Sequence, residues 1–316
     1  MKPLILIFSP LTEAHRAQIA EQYQVLYAPN ASSVEAQLAA AQPEVRAVLT
    51  NGPIGVQPQA IDAMPKLELI CTLGVGYEKV AIEYARSRGI ALANGAGTNS
   101  DCVADHAMAI LLAAVRNVVQ YDAAVRNGVW RDRIPWSPNV SGRRLGLLGL
   151  GDIGMKIARR AQAFDIEVGY HSRSPRTDVA YGYYSSAQAL AHWCDFLVVA
   201  TPGGAQTRHM VDAAVLDALG PQGFVVNISR GSVVDTAALG QALLENRIAG
   251  AALDVYESEP NPPAELVGLP NVVLTPHIAG WSPEAVQNSV NQFLRNAEGH
   301  FAGRGPVSPI VGSAAG

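Results

Sequence analysis

The chain has 316 residues, enough for two domains of ordinary size, and at 49% hydrophobic and 16% charged it is able to bury large cores. A net charge of -4 with no basic block argues against nucleic acid as a main partner. Cys71, Cys102 and Cys194 are scattered and form no C-x-x-C pair, which predicts a reducing compartment, the cytoplasm by default, and no metal site.

Residues 1–94 alternate strand and helix patterns. The first apolar run, residues 3–8, is strand-sized and has no small-residue cleavage site, so no signal peptide is expected. Strands are predicted at 4–8, 25–27, 47–50, 67–73 and 90–93. Helices are predicted at 13–23 and 33–41, with another ending near Arg88-Gly89. Such alternation predicts a parallel sheet, in which ligands bind beyond the carboxyl ends of strands. Asn51-Gly52 and Leu73-Gly74-Val75-Gly76 fall at such ends. The N–H groups of Val75 and Gly76 suit a small carboxylate, although each stretch taken alone reads as a connecting turn.

Residues 95–100 read as a hinge. Ser100 and Asp101 are good N-cap types for a helix from Cys102 to about Val118 that is apolar nearly all round. Its strongest apolar run, 107–115, is too short to cross a bilayer. Asp105 and His106 near its start read as capping or structural. The stretch 128–141 carries Trp130, Pro135, Trp136 and Pro138, and its aromatics cover a core edge or reach a partner subunit.

A short apolar run, Leu145-Gly146-Leu147-Leu148, then leads into Gly149, Gly151 and Gly154 in G-x-G-x-x-G spacing. Helical periodicity through Phe164 and a second strand at 167–170 complete a βαβ unit, the context this motif requires. Gly149 permits a tight turn, Gly151 a close approach to a pyrophosphate, and Gly154 close packing of helix on strand. The helix start adds unpaired N–H groups and a favourable dipole for phosphate.

A site for NAD usually carries Asp or Glu at the end of that second strand. This chain has His171-Ser172-Arg173-Ser174-Pro175-Arg176 instead. No carboxylate repels a 2′-phosphate, and guanidinium forks match phosphate oxygens in pairs. NADP(H) is expected over NAD(H), with Ser172 and Arg173 on the 2′-phosphate and Arg176 helping.

Further strands are predicted at 196–200, 224–228, 250–255 and 272–274, with helices at 189–193, up to 219, at 236–245 and at 283–301. Arg230, Asp254, Glu259 and His277 all fall at or just past carboxyl ends of these strands. Hydride transfer to a carbonyl needs the nicotinamide held against the carbon, a cation for the substrate carboxylate, and an acid for the oxygen. Arg230 fits the cation and His277 the acid. Glu259 is suited to hold the other ring nitrogen and favour the imidazolium, and Asp254 to orient the nicotinamide side.

These residues resemble the D-isomer-specific 2-hydroxyacid dehydrogenases over nearly the whole chain. The resemblance rests on Gly149-Leu150-Gly151-Asp152-Ile153-Gly154, Asn227-Ile228-Ser229-Arg230-Gly231, Leu253-Asp254-Val255-Tyr256-Glu257-Ser258-Glu259-Pro260 and Thr275-Pro276-His277-Ile278-Ala279-Gly280. It implies an α/β chain of two Rossmann-like parallel-sheet domains with a cleft between them. One is a flavodoxin-like substrate domain from 1–96 plus 284–316, the other a dinucleotide-binding Rossmann domain from 97–283. It implies Arg230, Glu259 and His277 as the catalytic set, and a homodimer joined through the cofactor domains. For the cofactor it adds Asp152, Ile153, Thr201, Pro202, Thr207, Ile228, Ser229, Asp254, Gly280 and Thr98 to the residues above. For the substrate it implies Asn51, Leu73, Gly74, Val75, Gly76 and Trp136 beside Arg230 and His277.

Within the family the chain is similar to NADP-dependent glyoxylate/hydroxypyruvate reductases, on residues 95–99, 103–107, 134–138 and the Ser172-Arg173-Ser174 run. The expected activity is NADPH-preferring reduction of small 2-oxo acids to D-2-hydroxy acids. Trp281, just past the His277 signature, leaves pocket size open. Alternatives are reduction of larger 2-oxo acids (phenylpyruvate-type or 2-ketogluconate) and a non-catalytic dinucleotide-sensing protein.

Overall fold

Short apolar runs in this chain form parallel strands buried on both faces, and they read as continuous hydrophobic stretches because both faces are covered. The computed structural model describes residues 2–310. The chain falls into two compact units, one from the residues up to Asn99 together with those from Trp281 on, the other Ser100–Gly280.

The first unit holds β1 (Leu4–Ile7), β2 (Gln24–Tyr27), β3 (Val45–Asn51), β4 (Leu69–Leu73) and β5 (Ala91–Ala93). They pair in parallel in the order β2-β1-β3-β4-β5, the doubly wound flavodoxin-like order. Helices α1 (Glu13–Ala20), α2 (Val34–Ala40), α3 (Pro58–Asp62) and α4 (Ile82–Ser87) make the crossovers. Hydroxyls set two of their starts: Thr12 accepts from the His15 N–H and Ser33 from the Ala36 N–H. Ile5, Ile7, Leu49, Leu69 and Ala93 pack one face of the sheet against Val290, Phe293 and Ala297, which come from the C-terminal helix Pro283–Phe301. Full burial of a side chain of this size stabilises by about 1.5–3 kcal/mol.

The second unit opens with α5 (Ser100–Val115) and α6 (Val118–Arg126). Ser100 lies inside the first turn of α5 rather than capping it. Asp101 pairs with Lys156 and Arg160, and Asp105 with Arg160. The helix expected to run to about Val118 breaks after Val115. The second helix starts from Asn117 at φ +50°.

The sheet of this unit contains β6 (Arg144–Leu148), β7 (Glu167–His171), β8 (Gly182–Tyr183), β9 (Phe196–Val199), β10 (Phe224–Asn227), β11 (Gly250–Leu253) and β12 (Val272–Leu274). All pair in parallel in the order β12-β11-β10-β9-β6-β7-β8. Strand order reverses between β6 and β9, the switch point where this fold binds dinucleotides. The intervening helices are α7 (Asp152–Gln162), α8 (Ala187–Trp193), α9 (Ala213–Leu219) and α10 (Thr236–Leu244); the helix Pro283–Phe301 of the first unit is α11. On one face of the sheet α5 packs through Val103, Ala107, Ile110 and Leu111, all buried. No single helix among the described residues is long and apolar enough to cross a membrane.

Candidate active site

Connections at the carboxyl ends of six of the second unit's strands build the site. The first is the glycine loop after β6. Gly149 has φ +99°, and a Cβ there would lie 2.9 Å from the backbone of Ala200 and Thr201, so the turn presses on the end of β9. A Cβ on Gly154 would lie 2.4 Å from the Gly149 carbonyl oxygen, so α7 packs closely on the turn. A Cβ on Gly151 would meet nothing within 4 Å. Packing therefore does not demand glycine at 151, whereas a phosphate against the backbone does. Gly151 caps α7 without a side-chain hydrogen bond, leaving the helix-start N–H groups for an anion. Asp152 is exposed at this start, and Ile153 packs partly into the core.

The second connection follows β7. Ser172 donates to the Ser174 carbonyl at 2.7 Å, while Arg173 is exposed and makes no hydrogen bond among the described residues. Arg176 is committed: it pairs with Asp178, and its Nη1 donates to the Leu150 carbonyl at 2.7 Å. That last bond ties this loop to the glycine loop. At the end of β9, Thr201 and Pro202 are followed by Thr207, whose hydroxyl donates to the Pro202 carbonyl at 2.8 Å.

The connection after β10 is folded by Asn227. Its Oδ1 accepts from the N–H and hydroxyl of Ser229, and its Nδ2 donates to the Arg230 carbonyl. Ile228 and Ser229 are buried here. A Cβ on Gly203 would lie 2.8 Å from Arg230 Cγ, so the arginine stem lies against that glycine. A Cβ on Gly231 would lie 2.0 Å from the Tyr256 backbone carbon, so the turns after β10 and β11 touch.

The turns after β11 and β12 carry the proton chemistry. His277 Nδ1 lies 2.8 Å from Glu259 Oε2, and the Tyr256 N–H donates to Glu259 Oε1 at 2.9 Å. Burial alone would raise Glu259. The hydrogen bond from His277, the Tyr256 N–H, and the charges of His277 and Arg230 outweigh it and hold the carboxyl below its ordinary range. His277 is raised above its ordinary value, first by the Glu259 hydrogen bond and then by that carboxylate's charge and Asp254, against burial and Arg230. The pair favours an imidazolium whose Nε2 is left to serve as donor. Burial pushes the Tyr256 hydroxyl up to about 12, so it stays protonated and straps the Thr275 carbonyl at 2.6 Å.

Asp254 is 1% exposed. Its carboxylate accepts from the Thr275 hydroxyl and the Ile278 and Ala279 N–H groups.

The D-isomer specific 2-hydroxyacid dehydrogenase NAD-binding domain model matches residues 108–279. The chain belongs to that family. Two relatives are similar along most of its length. The glyoxylate/hydroxypyruvate reductase A of Arabidopsis thaliana is 37% identical over 308 residues, 97% of this chain and 98% of that one. The hydroxyphenylpyruvate reductase of Plectranthus scutellarioides is 40% identical over 268 residues, 84% and 86%. Among solved structures, the NADPH-dependent glyoxylate/hydroxypyruvate reductase of Sinorhizobium meliloti, in complex with NADP and malonate, superimposes with a TM-score of 0.88 at 34% identity. That match covers 98% of this chain and 97% of that one.

In this dehydrogenase Arg230, Glu259, His277 and Asp254 share one unit with the glycine loop, and Gly280 ends that unit. Asn51, Leu73, Gly74, Val75, Gly76 and Thr98 belong to the other. There Asn51 Oδ1 accepts the Ile54 N–H, and Thr98 bonds the Gly95 carbonyl and the Ser289 hydroxyl. The Gly74 carbonyl is held by the Gly95 N–H and the Val75 carbonyl by Asn94 Nδ2. The Val75 and Gly76 N–H groups make no hydrogen bond among the described residues, which leaves two adjacent donors for a carboxylate.

Trp136 is 96% exposed, and the apolar cavities it lines contain none of Arg230, Glu259 or His277. Its loop is pinned by Tyr121, whose hydroxyl contacts the Pro135 carbonyl and the Ser137 hydroxyl. Among the described residues no group of three or more His, Cys, Asp or Glu is arranged to hold a metal ion. Sequence reasoning missed Asn227 and Thr275, although both lie in the quoted signatures. It took His106, whose Nε2 lies 2.9 Å from Thr275 Oγ1, as a capping or structural residue.

Proposed function

We propose that the chain is an NADPH-preferring reductase of small 2-oxo acids, glyoxylate and hydroxypyruvate first, giving D-2-hydroxy acids. The observation that carries the reading is the Glu259–His277 pair on the turns beside Arg230. His277 gives a proton to the carbonyl oxygen during reduction and takes it back in the reverse direction. Glu259 fixes the ring and stabilises the imidazolium. Arg230 orients the 2-oxo acid through its fork and polarises the carbonyl. In the other unit the N–H groups of Val75 and Gly76 are the donors that fit a carboxylate.

The dinucleotide, when bound, supplies the hydride. The glycine loop and the start of α7 would hold its pyrophosphate, with Thr201, Pro202, Thr207, Ile228 and Ser229 along the neighbouring strand ends. Arg173, with Ser172 and Ser174, would take the 2′-phosphate, and Arg176 braces that loop against Leu150. The absence of a carboxylate in residues 171–176 and the name of the Sinorhizobium relative support the NADPH preference. Two further readings belong to the same proposal: a homodimer, supported by the exposed Trp130 and Trp136 on one loop, and a cytoplasmic location.

A second reading, reduction of larger aromatic 2-oxo acids, is favoured by the hydroxyphenylpyruvate reductase at 40% identity. Steady-state oxidation of NADPH and NADH against glyoxylate, hydroxypyruvate, pyruvate, phenylpyruvate and 2-ketogluconate separates the readings. Highest kcat/KM is expected for NADPH with the two small hydrophilic acids. A preference for NADH removes the Arg173 argument, a preference for a bulky acid favours the second reading, and no turnover with any acid sinks both.

A further inference from the structure

The turn that carries His277 is supported from behind by one face of α5, by contacts separate from the Glu259 pair. His277 has φ +54°. That region is uncommon for a non-glycine residue and persists only where the surroundings over-determine it. Cys102 and His106, one helical turn apart and so on one face of α5, reach the 275–279 segment at its two ends. Cys102 Sγ donates to the Ala279 carbonyl at 2.9 Å. His106 Nε2 lies 2.9 Å from Thr275 Oγ1.

Between these ends lies Asp254. The Thr275 hydroxyl is 2.5 Å from Asp254 Oδ1 and gives it its single proton. Its oxygen is then only an acceptor towards His106, which places a ring proton of His106 on Nε2. Asp254 Oδ1 also takes the Ile278 N–H and Oδ2 the Ala279 N–H, and the Asp254 carbonyl takes the His277 N–H at 2.9 Å. The run from His106 through Thr275 to Asp254 therefore ends on the backbone N–H groups of His277, Ile278 and Ala279, in the turn that carries the His277 ring.

We propose that His106 and Thr275 are positioning residues: through Asp254 they hold His277 where it gives up its proton. The proposal rests on His277 being the proton donor. It departs from reading His106 as a structural polar group near a helix start. A displacement on the order of 1 Å at a reacting group costs up to about a hundredfold in rate, so a partial loosening is expected to cost about tenfold.

The test uses the full chain with His106→Leu, His106→Gln, Thr275→Val and, as reference, His277→Ala. Thermal unfolding checks folding. The readouts are kcat and KM for glyoxylate, NADPH affinity by titration, and the solvent isotope effect on kcat. His106→Leu and Thr275→Val are expected to lose about tenfold in kcat, with KM and NADPH affinity within about twofold of the parent. The solvent isotope effect rises, because proton transfer from a displaced ring becomes slower. His106→Gln, which restores an N–H near the position of Nε2, recovers most of kcat.

Parental kcat in both His106→Leu and Thr275→Val overturns the proposal. So does a Gln variant no better than Leu, and so does a loss that appears only in NADPH affinity. If Thr275→Val does not fold, Thr275→Ser decides: it keeps the hydroxyl and is expected at parental kcat, and a tenfold loss counts against the proposal. A parental rate in His277→Ala removes the underlying reading instead, whatever the α5 variants do.

Discussion

Replacing Glu259 with Gln keeps the shape of the Glu259–His277 pair and removes its charge. A Gln carbonyl still accepts from His277 Nδ1, so that bond to the ring survives, while the electrostatic pull on the proton and the acceptor for the Tyr256 N–H are lost. Glu259 is the first cause that raises His277, by hydrogen bond and again by charge. The variant ring therefore loses its proton at lower pH. Reduction uses the imidazolium, so its rate is highest on the acid side and falls as pH rises through the folded value of His277. In Glu259→Gln it falls earlier.

The side chains are 41% and 34% exposed, so solvent screens the pair and only a discounted energy applies. Exposed pairs contribute about 0.2–1 kcal/mol and hydrogen bonds to charged groups about 1.5–3 kcal/mol. A value of about 1 kcal/mol changes the imidazolium-to-imidazole ratio about fivefold. On the alkaline limb kcat for glyoxylate reduction should drop about fivefold, with the loss shrinking towards acid pH. Oxidation of the 2-hydroxy acid, which uses the neutral ring, should not lose rate there.

The same pair gives a stability signature. His277, raised in the fold, contributes stability that is fully present below its ordinary value of 6.5 and is lost as pH rises through its folded value. Glu259, lowered in the fold, contributes stability present above its ordinary value of 4.5 and lost as pH falls through its folded value. The variant should be most destabilised between those two ordinary values. Steady-state pH profiles in both directions, with urea melts across the range, make the measurement. Equal losses at every pH, or superimposable profiles, would refute the electrostatic role of Glu259.

Arg173→Ala should lower kcat/KM for NADPH by about tenfold, the worth of one charged hydrogen bond, and leave NADH nearly unchanged. Equal effects on both cofactors would remove Arg173 from the 2′-phosphate. Gly231→Ala should destabilise by about 1–3 kcal/mol, because its new methyl would lie 2.0 Å from the Tyr256 backbone and one turn must move. It should also lower kcat, since the moving turns carry Arg230 and Glu259. Parental unfolding temperature and rate would show that the contact has slack.

What the sequence displays here is chemical type at a place in a pattern. Apolar runs at 145–148, 196–199 and 224–227 were readable as parallel strands because both faces are buried. The polar groups past their ends were readable because a parallel sheet leaves its active groups there. The two-residue β8 and the five-residue α3 were not readable, being too short for either periodicity to show. The break between α5 and α6 was hidden because apolar residues resume at once with Val118 and Val119, and only Arg116 and Asn117, the latter at positive φ, separate the two helices.

The site shows the same division between a position and its partners. Asp254 stands at a strand end, and both its carboxylate oxygens accept from the protein's own Thr275, Ile278 and Ala279. His106 meets Thr275 across 169 positions of chain, and helix α5 carries no local mark that one of its polar residues faces a strand end. Arg176 differs, since its partner Asp178 is two residues away. A guanidinium so close to a carboxylate in sequence is a candidate strut before it is a candidate anion receptor, and that inference needed only the local sequence. Partners within a few residues can thus be weighed from sequence. Long-range hydrogen bonds, on which the position of a reacting group depends, become visible only when the chain is folded.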